Sequence, residues 1–207
     1  MRLISRVLPV LVVCLIAIAL PAAPAQAECV PYGIELSPES APPGREIEVY
    51  GYKFEANKPV DIYYDGILVS EGTETDKNGE FTITFIVPED CTGYYWILAR
   101  VGSSLGLVEA HRQFAVKPGL ILNPEKGPVG TNVTVKGRGF AKNEGDIELI
   151  YYLSGSYKTI ERNIAANGKG SWERSFQIPA STRGEHELDA EGAESKLYEV
   201  KDATFRV

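Results

Sequence analysis

An internal repeat limits the folds that this chain can adopt more than any other feature of its sequence. The stretch GPVGTNVTVKGRGF at Gly127–Phe140 matches APPGREIEVYGYKF at Ala41–Phe54, with an offset of 86 residues. Between residues 34–54 and 120–140, eight of 21 aligned positions are identical. The match resumes downstream with an offset of 91, where Gly93 aligns with Gly184. Two tandem copies of one domain of about 90 residues explain this pattern better than one large fold.

Within each copy, apolar residues alternate with polar ones, which is typical of strands with one buried face. The run FTITFIV at 81–87 is the clearest example, and no segment after residue 27 has the pattern of an amphipathic helix. About seven such strands in about 90 residues predict an immunoglobulin-like β-sandwich. The predicted fold class is therefore all-β, with two tandem immunoglobulin-like β-sandwich domains.

Equivalent residues in the two copies predict equivalent local structure. Each copy has a turn glycine that favours positive φ, a strand glycine that predicts a bulge, and an aromatic core residue three positions later. These residues are Gly44, Gly51 and Phe54 in the first copy and Gly130, Gly137 and Phe140 in the second. The dipeptides Asp65-Gly66, Asn78-Gly79 and Asn167-Gly168 predict tight hairpins.

The segment ILNPEKGPVGTNVTVKGRGF at 121–140 resembles the start of the IPT/TIG class of immunoglobulin-like domains. The first copy departs from the pattern at Ala41 and Arg45. The resemblance implies tandem immunoglobulin-like domains of secreted prokaryotic surface proteins. Its motif is structural and implies no particular ligand. The matching residues are Pro124, Gly127, Gly130, Thr131, Val133, Val135, Gly137 and Phe140.

The first 27 residues have the pattern of a secretory signal peptide. Arg2 and Arg6 precede an apolar run at 7–20, and Ala25-Gln26-Ala27 supplies the small residues of a cleavage site. A retained N-terminal anchor is the alternative. The predicted domains are residues 28–117 and 118–207, called here the first and second repeats. Neither contains an apolar run long enough for a membrane span, so we expect none after cleavage.

Charge and cysteine content agree with an exported protein. The net charge is −7, and removal of Arg2 and Arg6 makes it −9, so nucleic acid is not an expected partner. Removal of residues 1–27 leaves two cysteines, Cys29 and Cys91. An even count in an oxidising compartment predicts a disulfide between them. Two free thiols, or a bond to another chain, are the alternatives.

The sequence predicts no catalytic, metal or cofactor site. The histidines are His111 and His186, and the alignment puts His186 at the strand position of Tyr95. No Gly-x-Ser-x-Gly motif is present, and the segment DKNGE at 76–80 lacks the ligand spacing of a calcium loop. A weak surface Ca²⁺ site formed by Glu71, Glu74 and Asp76 is the alternative. We therefore expect a protein that is not an enzyme.

Aromatic residues are the candidate binding residues. Neighbouring residues on a strand face opposite sides of the sheet, so one ring of each adjacent pair belongs to the core and the other to the solvent face. The candidate platform consists of Tyr63, Tyr94 and Trp96. The alternative is that these rings only form stabilising cross-strand pairs.

These observations favour a non-catalytic protein that is secreted, extracellular or on the cell surface. Its role is structural or in protein–protein interaction, with an unknown surface protein as partner. The alternative is a module that binds carbohydrate or cell wall through the exposed aromatics, with a polysaccharide as ligand.

The first prediction concerns export. We expect the secreted chain to begin at Glu28, because signal peptidase cleaves after a small-x-small triplet such as 25–27. Intact-mass measurement of the exported protein tests this, and a mass that includes residues 1–27 contradicts it.

Overall fold

The computed structural model describes residues 31–196 and 199–207, and every regular element in them is a β-strand. The first repeat contains eight strands: β1 Gly33–Ser37, β2 Ser40–Ala41, β3 Glu46–Tyr52, β4 Pro59–Tyr64, β5 Ile67–Glu74, β6 Phe81–Ile86, β7 Gly93–Ser103 and β8 Gly106–Val116. The second repeat contains seven: β9 Gly119–Asn123, β10 Asn132–Arg138, β11 Ile147–Leu153, β12 Ser156–Ile164, β13 Trp172–Gln177, β14 Glu185–Glu191 and β15 Ala203–Arg206.

Each repeat has two sheets. In the first repeat, a three-stranded sheet has the order β1-β3-β6 and a five-stranded sheet has the order β2-β8-β7-β4-β5. In the second repeat, the corresponding orders are β9-β10-β13 and β12-β11-β14-β15. The pairs are antiparallel except for the short parallel pair β2–β8. The predicted all-β, immunoglobulin-like fold is confirmed.

A separate hydrophobic core fills each repeat. In the first, the alternating residues of β3 and β6 face the apolar residues of β4 and β7, as the period-two pattern predicts. In the second, Arg174 occupies the place of Ile83 on the three-stranded sheet. Its side chain leaves the core and donates a 2.7 Å hydrogen bond to Glu161. Phe176, two residues later, is accordingly only half-buried, whereas its counterpart Phe85 is buried.

The predicted bulges at Gly51 and Gly137 are wrong. Both glycines lie in unbroken antiparallel registers, where Gly51 pairs with Phe81 and Gly137 pairs with Trp172. A Cβ atom on either glycine would overlap the aromatic ring of its partner. These positions are therefore glycine because a ring packs directly over the backbone.

The predicted turns are right at one place and wrong at two. Asp65 and Gly66 have φ values of 45° and 83° and join β4 to β5 in a tight hairpin. The segments around Asn78-Gly79 and Asn167-Gly168 instead cross from one sheet to the other, because β5 and β6, like β12 and β13, lie in different sheets.

A polar side chain organises each crossing segment. The Asp76 carboxylate accepts hydrogen bonds from the backbone N–H groups of Asn78 at 2.7 Å and Glu80 at 2.9 Å. Its counterpart Asn167 does the same through Oδ1, with Lys169 and Ser171 as donors at 2.8 and 3.1 Å. Hydrogen bonds of this kind lead the chain into a turn without a hairpin.

Phe54 and Phe140 are equivalent core residues, as predicted. Phe54 is 8 % exposed and Phe140 is fully buried. The N–H of Phe54 donates to the carbonyl of Gly79, and that of Phe140 donates to Gly170, both at 3.0 Å. The two rings close the same end of their sandwiches.

The two repeats contact each other end to end. The end of the second repeat that is closed by Phe140 touches the end of the first repeat that lies opposite Phe54. The N–H of Thr92 donates to the carbonyl of Phe140 at 3.2 Å, and the Ser171 hydroxyl donates to Glu89 at 2.6 Å. Gly139 has a φ of 72°, and a Cβ there would lie 2.6 Å from the Lys117 carbonyl oxygen. The second repeat therefore approaches the first through a position that has no side chain.

The second prediction concerns Phe140. Its replacement by alanine should cost about 3–5 kcal/mol of unfolding free energy, because it removes a buried ring and leaves a cavity. Chemical denaturation of Phe140→Ala measures the change, with Tyr157→Ala, whose ring is 65 % exposed, as the control. A loss below about 1 kcal/mol contradicts the role assigned to this ring.

Candidate functional site

The solvent-facing side of the five-stranded sheet in the first repeat carries two of the three predicted aromatic residues in exposed positions. Strand β7 alternates, so Ile97, Ala99 and Val101 enter the core while Tyr94 and Trp96 point to solvent. Tyr94 is 74 % exposed and Trp96 is 53 % exposed. We call this side of the sheet the outer face.

Trp96 is flanked by polar side chains from the neighbouring strand β8. It pairs with Gln113 in the sheet register, and its ring meets the imidazole of His111 edge-on, with 6.4 Å between centroids. Both residues are exposed. The apolar surface of Trp96 therefore lies beside an amide and an imidazole that can form hydrogen bonds.

Tyr63 shares the outer face, but its ring is covered. It pairs with Leu98 on β7, and the guanidinium of Arg100 lies 4.8 Å from the centre of its ring. Arg100 also donates to the Tyr63 hydroxyl at 3.2 Å and to Glu109 at 2.9 Å. Tyr63 therefore forms a stabilising contact across strands, as the alternative predicted. Tyr94 is the most exposed ring of the three, and Trp96 is exposed beside His111.

A groove of about 180 Å³ lies beside Tyr94 at the junction of the repeats. Thr92, Ala115 and Lys117 line it from the first repeat and Glu199 from the second. The groove therefore borders Tyr94 on one side and the second repeat on the other.

Two aromatic pairs face the interior of the sandwiches, Tyr64 with Tyr95 in the first repeat and Tyr151 with His186 in the second. Tyr64 stacks on Tyr95 at 5.1 Å, and Tyr151 stacks on His186 at 5.3 Å, both with 20° between ring planes. The Tyr95 hydroxyl donates to the carbonyl four residues earlier, that of Cys91, at 2.9 Å. In the second repeat, His186 Nε2 lies 2.7 Å from the carbonyl oxygen of Thr182, also four residues earlier.

His186 is 5 % exposed, so it is a core residue. Its other ring nitrogen, Nδ1, lies 3.0 Å from the carbonyl oxygen of Tyr152. Both ring nitrogens therefore face backbone carbonyl oxygens, and neither faces solvent. The histidine thus takes the structural role that a tyrosine has at this corner of immunoglobulin-like sandwiches.

The predicted disulfide is not tested, because Cys29 lies outside the described residues. Cys91 lies at the junction of the repeats, where its Sγ is 3.6 Å from the carbonyl oxygen of Gly168. Strand β1 begins with Gly33 at the opposite end of the sandwich, beside Tyr52. An extended residue spans about 3.5 Å, and a disulfide needs its Cα atoms within about 7 Å.

The most strongly perturbed carboxyl group lies in the second repeat, away from the outer face. Asp189 on β14 is 5 % exposed. Burial, together with the neighbouring carboxyl of Asp202 and the charge of Glu187, raises the pKa of Asp189 to about 7. Burial and Glu187 also raise the pKa of Asp202. The two carboxyls favour a shared proton over two negative charges.

No group of three or more His, Cys, Asp or Glu side chains suited to a metal ion occurs within residues 31–196 and 199–207. The same described residues contain no helix that is long and apolar enough to cross a membrane.

Comparison with known proteins shows similarity of fold only. No family model matches the chain, and no curated protein matches it. It is similar to a tetra-tandem repeat in the extending region of a large adhesion protein, with 12 % identity and a TM-score of 0.35 over 84 % of this chain and 48 % of that one. This chain thus spans about half the length of that structure.

Two further structures have the same level of similarity. The fibronectin(III)-like modules of Clostridium thermocellum CbhA are 16 % identical, with a TM-score of 0.30 over 84 % of this chain and 92 % of that one. A tandem pair of titin immunoglobulin domains is 13 % identical, with a TM-score of 0.33 over 81 % and 90 % of the two chains. At these values the similarities assign neither a family nor a function.

The third prediction concerns the pH dependence of stability. The pKa of Asp189 is raised from its ordinary value near 4 to about 7 in the folded protein. Between about pH 4 and pH 7, Asp189 is therefore protonated in the folded state and ionised in the unfolded chain. The stability supplied by this proton is complete below about pH 4 and is lost as the pH rises to about 7. Asp189→Asn, which carries no such proton, should therefore gain stability relative to the wild type over this range.

Denaturation of both proteins at several pH values measures this difference. Carboxylates with a lowered pKa, such as Glu144, also make stability depend on pH. Because both proteins contain them, their contribution cancels in the difference between the two unfolding free energies. A difference in unfolding free energy that does not change between pH 4 and pH 7 contradicts the prediction.

Proposed function

We propose that this protein is a non-catalytic structural or interaction module, secreted or displayed on the cell surface, that binds a protein partner through its outer face. The observation that carries the proposal is the exposure of Tyr94 and Trp96, two residues apart on the same face of strand β7. Large rings in such positions add nothing to the core, and aromatic residues are enriched at the centre of protein interfaces.

Polar and charged side chains surround these rings, as they do at the rim of a protein interface. The ion pair of Arg100 with Glu109 lies at one end of the outer face, and Gln113 borders Trp96. Polar groups around an apolar centre exclude water from the contact and set its orientation. The groove beside Tyr94 adds a concave edge where a partner can also touch the second repeat.

The proposal includes the organisation predicted from the sequence. Residues 1–27 are a cleaved signal peptide, and residues 28–117 and 118–207 are two domains of the IPT/TIG-like type. The repeated motif supports the family, and the separate core of each repeat supports the two domains.

Polysaccharide is the second candidate ligand. Sugar rings stack on exposed aromatic side chains, and the Gln113 amide and His111 imidazole next to Trp96 can bond sugar hydroxyls. With Tyr63 under Arg100, this platform has two free rings, Tyr94 and Trp96, instead of the three predicted.

The fourth prediction concerns binding through the outer face. The double variant Tyr94→Ala/Trp96→Ala should bind the envelope fraction of the producing organism at least about tenfold more weakly than the wild type, because interface aromatics contribute more than about 1.4 kcal/mol. Its unfolding free energy should change by less than about 1 kcal/mol, because both rings are exposed. Cosedimentation at a series of concentrations measures the binding.

Tyr157→Ala, which removes a ring that is 65 % exposed on the second repeat, is the matched control and should bind as the wild type does. Protease treatment of the envelope fraction separates the two ligands, since it abolishes binding to a protein partner and leaves binding to polysaccharide. Equal binding by the double variant and the wild type contradicts a role for the outer face.

A further inference from the structure

Strand β8 has a long unpaired edge in the first repeat. It is 11 residues long and lies next to the edge of the five-stranded sheet, where β2 covers only Ala115 and Val116. Among the residues that the structure describes, no strand pairs with the rest of this edge, Gly106–Phe114. Such an edge is a template for another strand.

The hydrogen-bond pattern identifies which residues point their backbone groups outward. A two-residue turn joins β7 to β8, so Ser103 and Gly106 form a hydrogen-bonded pair, and hydrogen-bonded pairs then alternate along the hairpin. The residues whose N–H and C=O groups face away from β7 are therefore Leu107, Glu109, His111 and Gln113. The N–H of Ala115, next in this series, donates outward to Glu39 at 3.1 Å, as the alternation requires.

The other two long edges lack this regularity. Strand β5 pairs with β4 through two register shifts and contains Gly72 at a φ of 83°. Strand β12 also pairs through two register shifts. Bulges of this kind discourage strand addition. Strand β8, in contrast, pairs with β7 through eleven consecutive residues without a shift, and it contains neither proline nor lysine.

We propose that two molecules of this protein associate edge to edge through β8, in antiparallel orientation, to form one continuous sheet. The occupant of the edge is a second copy because the edge is complementary to itself. With Ala110 opposite Ala110 of the second molecule, Glu109 lies opposite His111 of the second molecule, and His111 lies opposite its Glu109. All of these outward residues are exposed.

Neighbouring registers are less favourable. A shift of two residues in one direction places Glu109 opposite itself, which opposes two negative charges. A shift in the other direction places His111 opposite itself and requires Ala115, whose N–H already bonds Glu39. The register centred on Ala110 is therefore preferred, and it forms about eight backbone hydrogen bonds.

This association also joins the outer faces. The twofold axis of an antiparallel pair is perpendicular to the sheet, so both outer faces lie on the same side. The Trp96 side chains of the two molecules then belong to one surface, and a partner with repeated binding sites gains avidity from it.

The fifth prediction tests this dimer. Sedimentation velocity of the full secreted chain over a hundredfold range of concentration should show a monomer–dimer equilibrium. In His111→Pro the outward N–H is lost while the bonds of β8 to β7 remain, because proline is tolerated where the N–H faces away from the sheet. This variant should be monomeric, whereas the matched variant His111→Ala keeps the N–H and should still form dimers.

A charge exchange provides a second readout that does not depend on proline. Glu109→Lys places a lysine opposite His111 of the second molecule and should weaken the dimer at least about fivefold. Adding His111→Glu restores an opposite pair and should restore dimerisation. Both variants lack the Arg100–Glu109 ion pair, so its loss cannot explain a difference between them.

A wild-type chain that stays monomeric throughout the concentration range overturns the proposal. A dimer that is equally strong in His111→Pro, or that the charge exchange does not restore, overturns it as well, since another surface then holds the two molecules. Thermal melting of each variant confirms that the compared proteins are folded.

Discussion

The structure depends on the aromatic ring that closes one end of each sandwich. Phe54 and Phe140 follow the second long strand of their repeats, where the chain leaves the sheet and would otherwise expose the core. Each ring packs on an aromatic residue of the strand that is paired with it in the sheet, Phe81 on β6 or Trp172 on β13, both at 5.6 Å. Those rings lie directly over a glycine of the paired strand, so they can occupy this position only because the glycine has no side chain.

The outer face follows from the same arrangement. Tyr95 and Ile97 of β7 pack against the core of the first repeat. Because side chains alternate along the strand, Tyr94 and Trp96 then lie on the solvent side. The face is regular because β7 has paired strands on both sides, β4 and β8. Regular central strands hold exposed side chains in fixed positions, which favours recognition by a rigid surface.

Much of this architecture could be predicted from the sequence, since period-two alternation and an internal repeat are properties of the chain itself. Residues whose role is set by a distant partner could not. The cover on Tyr63 comes from Arg100, 37 residues away, and nothing near Tyr63 in the sequence indicates it. Strand glycines were predicted as bulges because a bulge is a local feature, whereas the ring over Gly137 belongs to Trp172 on another strand. The alignment of His186 with Tyr95 did indicate a common position, and only the structure shows the shared bond to a carbonyl four residues earlier.

The two repeats contribute non-equivalent ends to the junction between them. Gly139 lets the second repeat come within van der Waals contact of Lys117 and Pro43, and its counterpart in the first repeat is Lys53, which has a side chain at the same left-handed φ of about 60°. A surface that met the Phe54 end of the first repeat would therefore contact the Lys53 side chain before it reached the backbone. The contact between the repeats thus depends on a position that differs between the two copies of the motif. The hydrogen bonds of Thr92 with Phe140 and of Ser171 with Glu89 therefore join the repeats in addition to the chain that links them.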